Sequence, residues 1–280
     1  MQPAKTPDTL LRVIRSQPVR NALSWIGSTD SGVNLLNRVA RERGIYATFN
    51  EAQEAAKHLN AKGHEAEILS QLPLNFGLRM SDYPVLVWLN QVRPRRLFDF
   101  GGSVGNLYYL YKDYLDLSPP FSWVVHDLPE VVERGQALAA TRDASTLSFS
   151  SQLSDGKDCD FFLVSGALQF WEPSMATLFA AMGSRPEHVI VNRSPLTERK
   201  LSYVILDIIG NAALPKMIRS RSALIEEFES LGYERVADWI EPERRITLTY
   251  YPGYEVPNYS GLYFRLKKAD ALGNGNAPHV

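Results

Sequence analysis

Two rhythms of apolar residues divide the chain. Up to about residue 94 they recur at helical spacing: residues 51–60 are rich in Ala and Glu, and residues 83–92 carry Leu86, Val87, Leu89 and Val92 at that spacing. The spacing predicts accessory helices, separated by the turn residues of 27–32 and 71–77. From Arg96 onward short apolar runs alternate with amphipathic stretches, the pattern of parallel strands joined by helices that cover both faces of a sheet. Strands are expected at 97–100, 123–127, 147–150, 160–165, 188–192 and 235–240. Helices are expected at 106–117, at 130–141 behind Pro129, around 175–182, and at 222–231 before a Gly232 cap.

The last strand, 262–266, breaks the pattern. Residues 241–261 before it are too few, and too rich in Pro, Gly and Tyr, for a crossover helix, so the final pair is predicted to be antiparallel. Six parallel strands and one reversed strand make an α/β fold of the class I methyltransferase (Rossmann-like) type. A dinucleotide-binding sheet is usually parallel throughout. The expected organisation is a helical extension over 1–94, a donor-binding domain over 95–268 and a disordered tail over 269–280.

Composition narrows the partners. With 280 residues, 45% hydrophobic, the chain can bury a sizeable core, and a formal charge of −1 gives no reason to expect nucleic acid or an anionic membrane as partner. A small neutral or polar substrate fits that balance better. The single Cys159 excludes an intramolecular disulfide framework and a multi-cysteine zinc site, which points to the cytoplasm. Arg12, Arg15 and Gln17 interrupt any apolar leader, no run reaches transmembrane length, and the basic amphipathic face of residues 9–26 reads as a docked surface helix, with rest on a membrane as its other reading.

The densest chemistry lies where the first strand ends. Asp99 stands two positions before a glycine turn, Gly101, Gly102 and Gly105, that opens a helix. A loop built for pyrophosphate has no use for a buried acid, whereas a carboxylate suits a cationic ligand such as the amino-acid end of S-adenosylmethionine. Asp127, beside Leu128 and 22 positions after Gly105, ends the second strand, where an acid can accept both ribose hydroxyls; its other reading is a helix cap before Pro129.

Ligands of open sheets bind at the carboxyl ends of the strands, and that rule selects the remaining candidates. Ser150, Ser151 and Gln152 follow the third strand and could meet an adenine edge, or form ordinary loop. Ser165 and Gly166 end the fourth strand, with Gln169, Phe170 and Trp171 after them as pocket walls or as helix packing. Asn192 and Arg193 end the fifth strand, placed for substrate unless Arg193 is a surface ion pair. Tyr250, Tyr251, Tyr254 and Tyr259 fall where the chain would cross the pocket mouth, as stacking platforms or as that connection's own packing. His126 alternates with Asp127 and should point away from the ligand. The histidines show no metal-ligand spacing, and neither a Gly-x-Ser-x-Gly elbow nor a Gly-Lys-Ser/Thr loop occurs.

With these residues in view, the chain resembles a family of bacterial S-adenosylmethionine-dependent methyltransferases associated with surface-polysaccharide gene clusters. The likeness is carried by residues 81–86, 98–102, 123–129, 165–169, 192–196, 231–233 and 259–264. It implies a class I fold and a methyl donor at Asp99, Gly101, Gly102, Gly105 and Asp127, and supplies no catalytic base. The commonest such loop has glycine where this chain has Ser103, and the stretch 207–215, more polar in such proteins, is apolar here. The expected function is methyl transfer to an oxygen or nitrogen of a small acceptor, a sugar or glycan precursor. An NAD-dependent oxidoreductase and a non-catalytic binding protein are the rivals.

Overall fold

The computed structural model describes residues 41–57, 77–209, 212–248 and 251–268. The helix expected over 9–26, the turn at 27–32, Tyr250 and the tail 269–280 lie outside the described residues.

The larger sheet is built from the strands predicted after residue 95. Its strands are β2 (Arg96–Phe100), β3 (Ser122–His126), β4 (Leu147–Ser150), β5 (Phe161–Ser165), β6 (His188–Ser194), β10 (Tyr233–Glu241) and β11 (Tyr259–Leu266). They lie in the order β10-β11-β6-β5-β2-β3-β4, and β11 runs antiparallel to both its neighbours while the others are parallel. That order, reversing direction of travel at β2, with one inverted strand next to the edge, is the expected class I sheet. The helices are α2 (Asp82–Val92), α3 (Asn106–Tyr111), α4 (Pro129–Ala140), α5 (Met175–Met182) and α6 (Arg221–Ser230). The helix predicted to run to 117 stops at Tyr111.

Both faces of this sheet are covered, which is why its central strands read as almost unbroken apolar runs. Phe98, Phe162, Val164 and Phe264 pack on one face with Phe179 of α5 and Phe228 of α6. Leu97, Phe161, Leu163 and Trp123 pack on the other with Val85 and Leu89 of α2 and with Tyr108 and Tyr111 of α3. Asp99 shares this second face with Leu97, and that alternation carries a carboxyl group into the interior.

A second sheet is absent from the sequence reading. The chain expected to be helical up to residue 94 contains a strand, β1 (Glu42–Tyr46), before α1 (Phe49–Lys57). Beyond β6, a two-residue β7 (Leu196–Thr197) precedes a hairpin of β8 (Tyr203–Ile209) and β9 (Ala212–Ser220). These four strands are ordered β1-β8-β9-β7. The apolar stretch 207–215 thus belongs to a hairpin buried on two sides. Val204, Leu206, Ala213 and Met217 meet Ala52 and Ala56 of α1, while Tyr203, Ile205 and Ile218 meet Ile246, Leu248, Val256 and Tyr259.

Candidate functional site

Between the strand tips of the large sheet and the small sheet lies a cleft of 820 Å³. Asp99, Gly101, Gly102 and Ser103 form one wall, Ser165, Gly166, Gln169 and Arg193 continue it from the ends of β5 and β6, and Asp207 and Lys216 face them from the hairpin.

The loop after β2 is shaped around its acid. Asp99 is 1% exposed and accepts one hydrogen bond, from the Trp123 indole N–H to Oδ2 at 3.2 Å. A side chain on Gly102 would begin 2.5 Å from Asp99 Oδ2, so glycine there lets the backbone pass directly against the carboxyl group. Gly101, at φ 69°, has its missing side-chain position filled by the Ala167 methyl group. Burial, opposed by the Trp123 hydrogen bond and reinforced by the charge of Asp127, raises the Asp99 pKa to about 7. Burial thus favours the neutral acid, and a cation placed beside it would favour the carboxylate.

Asp127 holds the loop together. Its Oδ2 accepts the Ser103 N–H at 2.8 Å and its Oδ1 the Leu128 N–H at 2.8 Å. Ser103 reaches that position in the left-handed conformation, φ 56°, at the place where the commonest loop has glycine. Burial raises the Asp127 pKa, against the pull of the Leu128 and Ser103 amides. The carboxylate therefore clasps the turn after β2 to the turn after β3. It touches the cleft through Ser103 and is not itself one of its lining residues. The same is true of Leu128, which is exposed, and of Ser151 and Gly105. His126, as expected from alternation, lies on the other face, stacked on Phe100.

The substrate candidates separate in the same way. Gln169 lines the cleft, donates to the Gly166 carbonyl at 2.6 Å and keeps its buried Oε1 without a hydrogen-bond partner. Trp171 packs edge-on against Phe100 and does not line the cleft. Asn192 is tied between Ser165 Oγ and the Trp239 indole N–H, a bracing role inside the sheet. Arg193 reaches the cleft and is 6% exposed, so it is no surface ion pair. Tyr259 is buried against the cleft, whereas Tyr254 packs edge-on against Tyr203 beneath the Arg199 guanidinium, the private packing of its connection.

Sequence reasoning missed the charged residues brought by distant segments. Lys216 Nζ pairs with Asp207 Oδ2, and Arg41 Nε donates to Asp207 Oδ1 at 2.9 Å. Burial alone would push Asp207 upward, but Lys216 and Arg41 hold it below the usual carboxylate range. Glu42, pushed up by burial and then by Asp207, lines the same region. From the connection before β11 come Glu243, Arg244 and Arg245. The one signal available beforehand was an acid and a lysine inside otherwise apolar stretches, Asp207 and Lys216, and it carries meaning only once their strands are known to pair.

Cys159 is buried, and its thiol is pushed up to about 12 by that burial, so it is not a nucleophile at neutral pH. Among the described residues no cluster of His, Cys, Asp and Glu is arranged to hold a metal, and no helix is long and apolar enough to cross a membrane.

Neither a family model nor a curated protein matches the chain. Among solved structures the chain is similar to a magnesium protoporphyrin IX methyltransferase from Synechocystis PCC 6803 with bound SAM, at 12% identity, over 95% of this chain and 100% of that one, with a TM-score of 0.45. It is also similar to a Burkholderia thailandensis 1,6-didemethyltoxoflavin-N1-methyltransferase with bound S-adenosylhomocysteine, at 13% identity over 96% and 93%, TM-score 0.45. A glycopeptide N-methyltransferase complexed with sinefungin aligns at 11% identity over 70% and 98%, TM-score 0.46. The assignment of the sheet rests on its own strand order and directions.

Proposed function

We propose that this chain is an enzyme that transfers a methyl group from S-adenosylmethionine to an oxygen or nitrogen of a small acceptor, a sugar or glycan precursor of polysaccharide biosynthesis in the cytoplasm. The observation that carries the reading is the buried Asp99 at the tip of β2, pressed against Gly102 at the floor of a cleft, in a seven-stranded sheet with β11 reversed. A carboxyl group with a single neutral hydrogen-bond donor suits a cationic ligand and repels a pyrophosphate.

The residues present fit that donor. Asp99 would hold its cationic amino-acid end, with the glycine backbone at 101–102 admitting it closely, and the unpartnered Gln169 Oε1 offers an acceptor beside Gly166. Asp127 fixes the conformation of the turn that receives it, holding Ser103 and Leu128 through their backbone amides. When bound, S-adenosylmethionine supplies a methyl carbon on a positively charged sulfur, which an acceptor oxygen or nitrogen displaces in line. The protein's part is positioning and exclusion of water, which can contribute several kcal/mol without a dedicated acid or base. The small sheet supplies the wall that makes the cleft deep enough for both.

Calorimetric titration with S-adenosylhomocysteine and with NAD tests the reading. Binding of the first, abolished in Asp99→Ala and absent for the second, is expected; preference for NAD would replace it with an oxidoreductase. Occupancy without methyl release on any saccharide or amine would favour a binding protein.

A further inference from the structure

The net charge of the whole chain hides a local excess of basic side chains. Six basic side chains line the cleft: Arg41, Arg79, Arg193, Lys216, Arg244 and Arg245. Against them stand Glu42, Asp207 and Glu243, with Asp99 committed to the donor and Glu241 buried behind the wall. Asp207 is already saturated by Lys216 and Arg41. The positive charge that remains gathers around Arg193 and Arg244, two cations that share the single carboxylate of Glu241.

Arg193 is the most telling of these. It ends β6 beside the tip of β5, where its Cβ lies 3.9 Å from the position a side chain on Gly166 would take. Its backbone is left-handed, φ 54°, a conformation that costs a non-glycine residue energy and that turns the side chain away from the strand's regular alternation. The guanidinium is buried, and its Nε has no hydrogen-bond partner among the described residues. The nearest acid, Glu241 Oε1, is 3.7 Å away, beyond hydrogen-bonding distance.

The same oxygen lies 3.9 Å from Arg244 Nε, so one carboxylate that hydrogen-bonds neither holds two guanidiniums near one another. Arg244 also lies over the Tyr259 ring, 5.9 Å from its centre, on the cleft side. Burying a cation with a donor unmet is costly, and two neighbouring guanidiniums match a planar or tetrahedral oxyanion. Nothing in this arrangement suits a neutral sugar better than an acidic one.

We propose that Arg193 and Arg244 form a receptor for a carboxylate or phosphate group on the methyl acceptor, with Glu241 as the residue that positions both. This deepens the methyl-transfer reading and rests on it; the expectation of a neutral acceptor, drawn from overall charge, is the one it replaces.

The test uses the full chain loaded with S-adenosylhomocysteine and follows the arginine Nε–Hε resonances by NMR during titration with sodium acetate, sodium phosphate or sodium chloride at equal ionic strength. Arg193→Lys and Arg244→Lys assign the two signals. A saturable shift of both with acetate or phosphate is expected, and none beyond a linear drift with chloride; which anion saturates identifies the acceptor's acidic group. Arg244→Gln, at a half-exposed position that tolerates replacement, should weaken that anion at least fivefold while S-adenosylhomocysteine affinity stays unchanged. Linear response to all three salts, or equal anion affinity in Arg244→Gln, overturns the proposal. The titration is repeated on the free protein. If S-adenosylhomocysteine does not bind while the anion does, the methyl-transfer reading fails and the anion site stands.

Discussion

A carboxyl group buried at a cleft wall, with one indole N–H as its donor, is charged at a cost that a cationic ligand would offset. Asp99 titrates near 7 in the folded chain because burial disfavours its ionised form, against an ordinary value near 4. Its folded pKa is raised, so its contribution to stability is complete below the unfolded pKa and is lost as pH rises through about 7. For a cationic ligand the sign is opposite. Affinity for S-adenosylmethionine should rise about tenfold per pH unit from pH 5 toward 7 and then level off, and Asp99→Asn should bind weakly with a flat profile. Calorimetry across that range reads both. Gly102→Ala places a methyl group against Asp99 Oδ2 and should cost about 1–3 kcal/mol in donor binding, stability or both.

At the level of elements the hairpin is the unexpected part, and it is stabilised unlike the large sheet. Its strands β8 and β9 bury Asp207 and Lys216 on the face turned to the cleft, an ion pair inside a low-dielectric wall. Removing Lys216 leaves the buried Asp207 only the largely exposed Arg41, so Lys216→Met should destabilise by about 3 kcal/mol in denaturant unfolding. Adding Asp207→Leu to that variant should recover much of the loss, since an apolar pair no longer carries a desolvation cost. The central strands depend on packing instead: Phe162 is fully buried among Phe98, Phe100 and Phe179, and Phe162→Ala should cost about 3–5 kcal/mol.

Over the whole molecule, the segment before residue 94 is part of the cleft and not an appendage to it. β1 pairs with β8, Arg41 reaches Asp207, Phe49 N–H is accepted by Glu172, and Arg79 lines the same cavity. A chain beginning at residue 58 would strip β1 and α1 from the hairpin and uncover Val204, Leu206 and Met217. It should melt at lower temperature and lose hydrogen-exchange protection specifically at the amides of β8. Unchanged protection there would mean that the hairpin stands without its neighbour.

What could be read from the chain alone follows from range. The large sheet, its reversed last strand and the loop at Asp99 were legible because apolar periodicity, glycine spacing and turn residues act over a few neighbouring positions. Arg193 was legible as a strand-end residue by the same logic. The small sheet was not, because β1 and β8 meet across about 160 residues and no local periodicity records which distant strands pair. Nor did the sequence show the bond that Asp127 makes: its position and type favour ribose binding over a helix cap before Pro129. Only the fold brings Ser103 N–H to it. The charge of the cleft belongs to the same class: six basic residues from five separate stretches cancel in the total and add up only where the chain's return places them together.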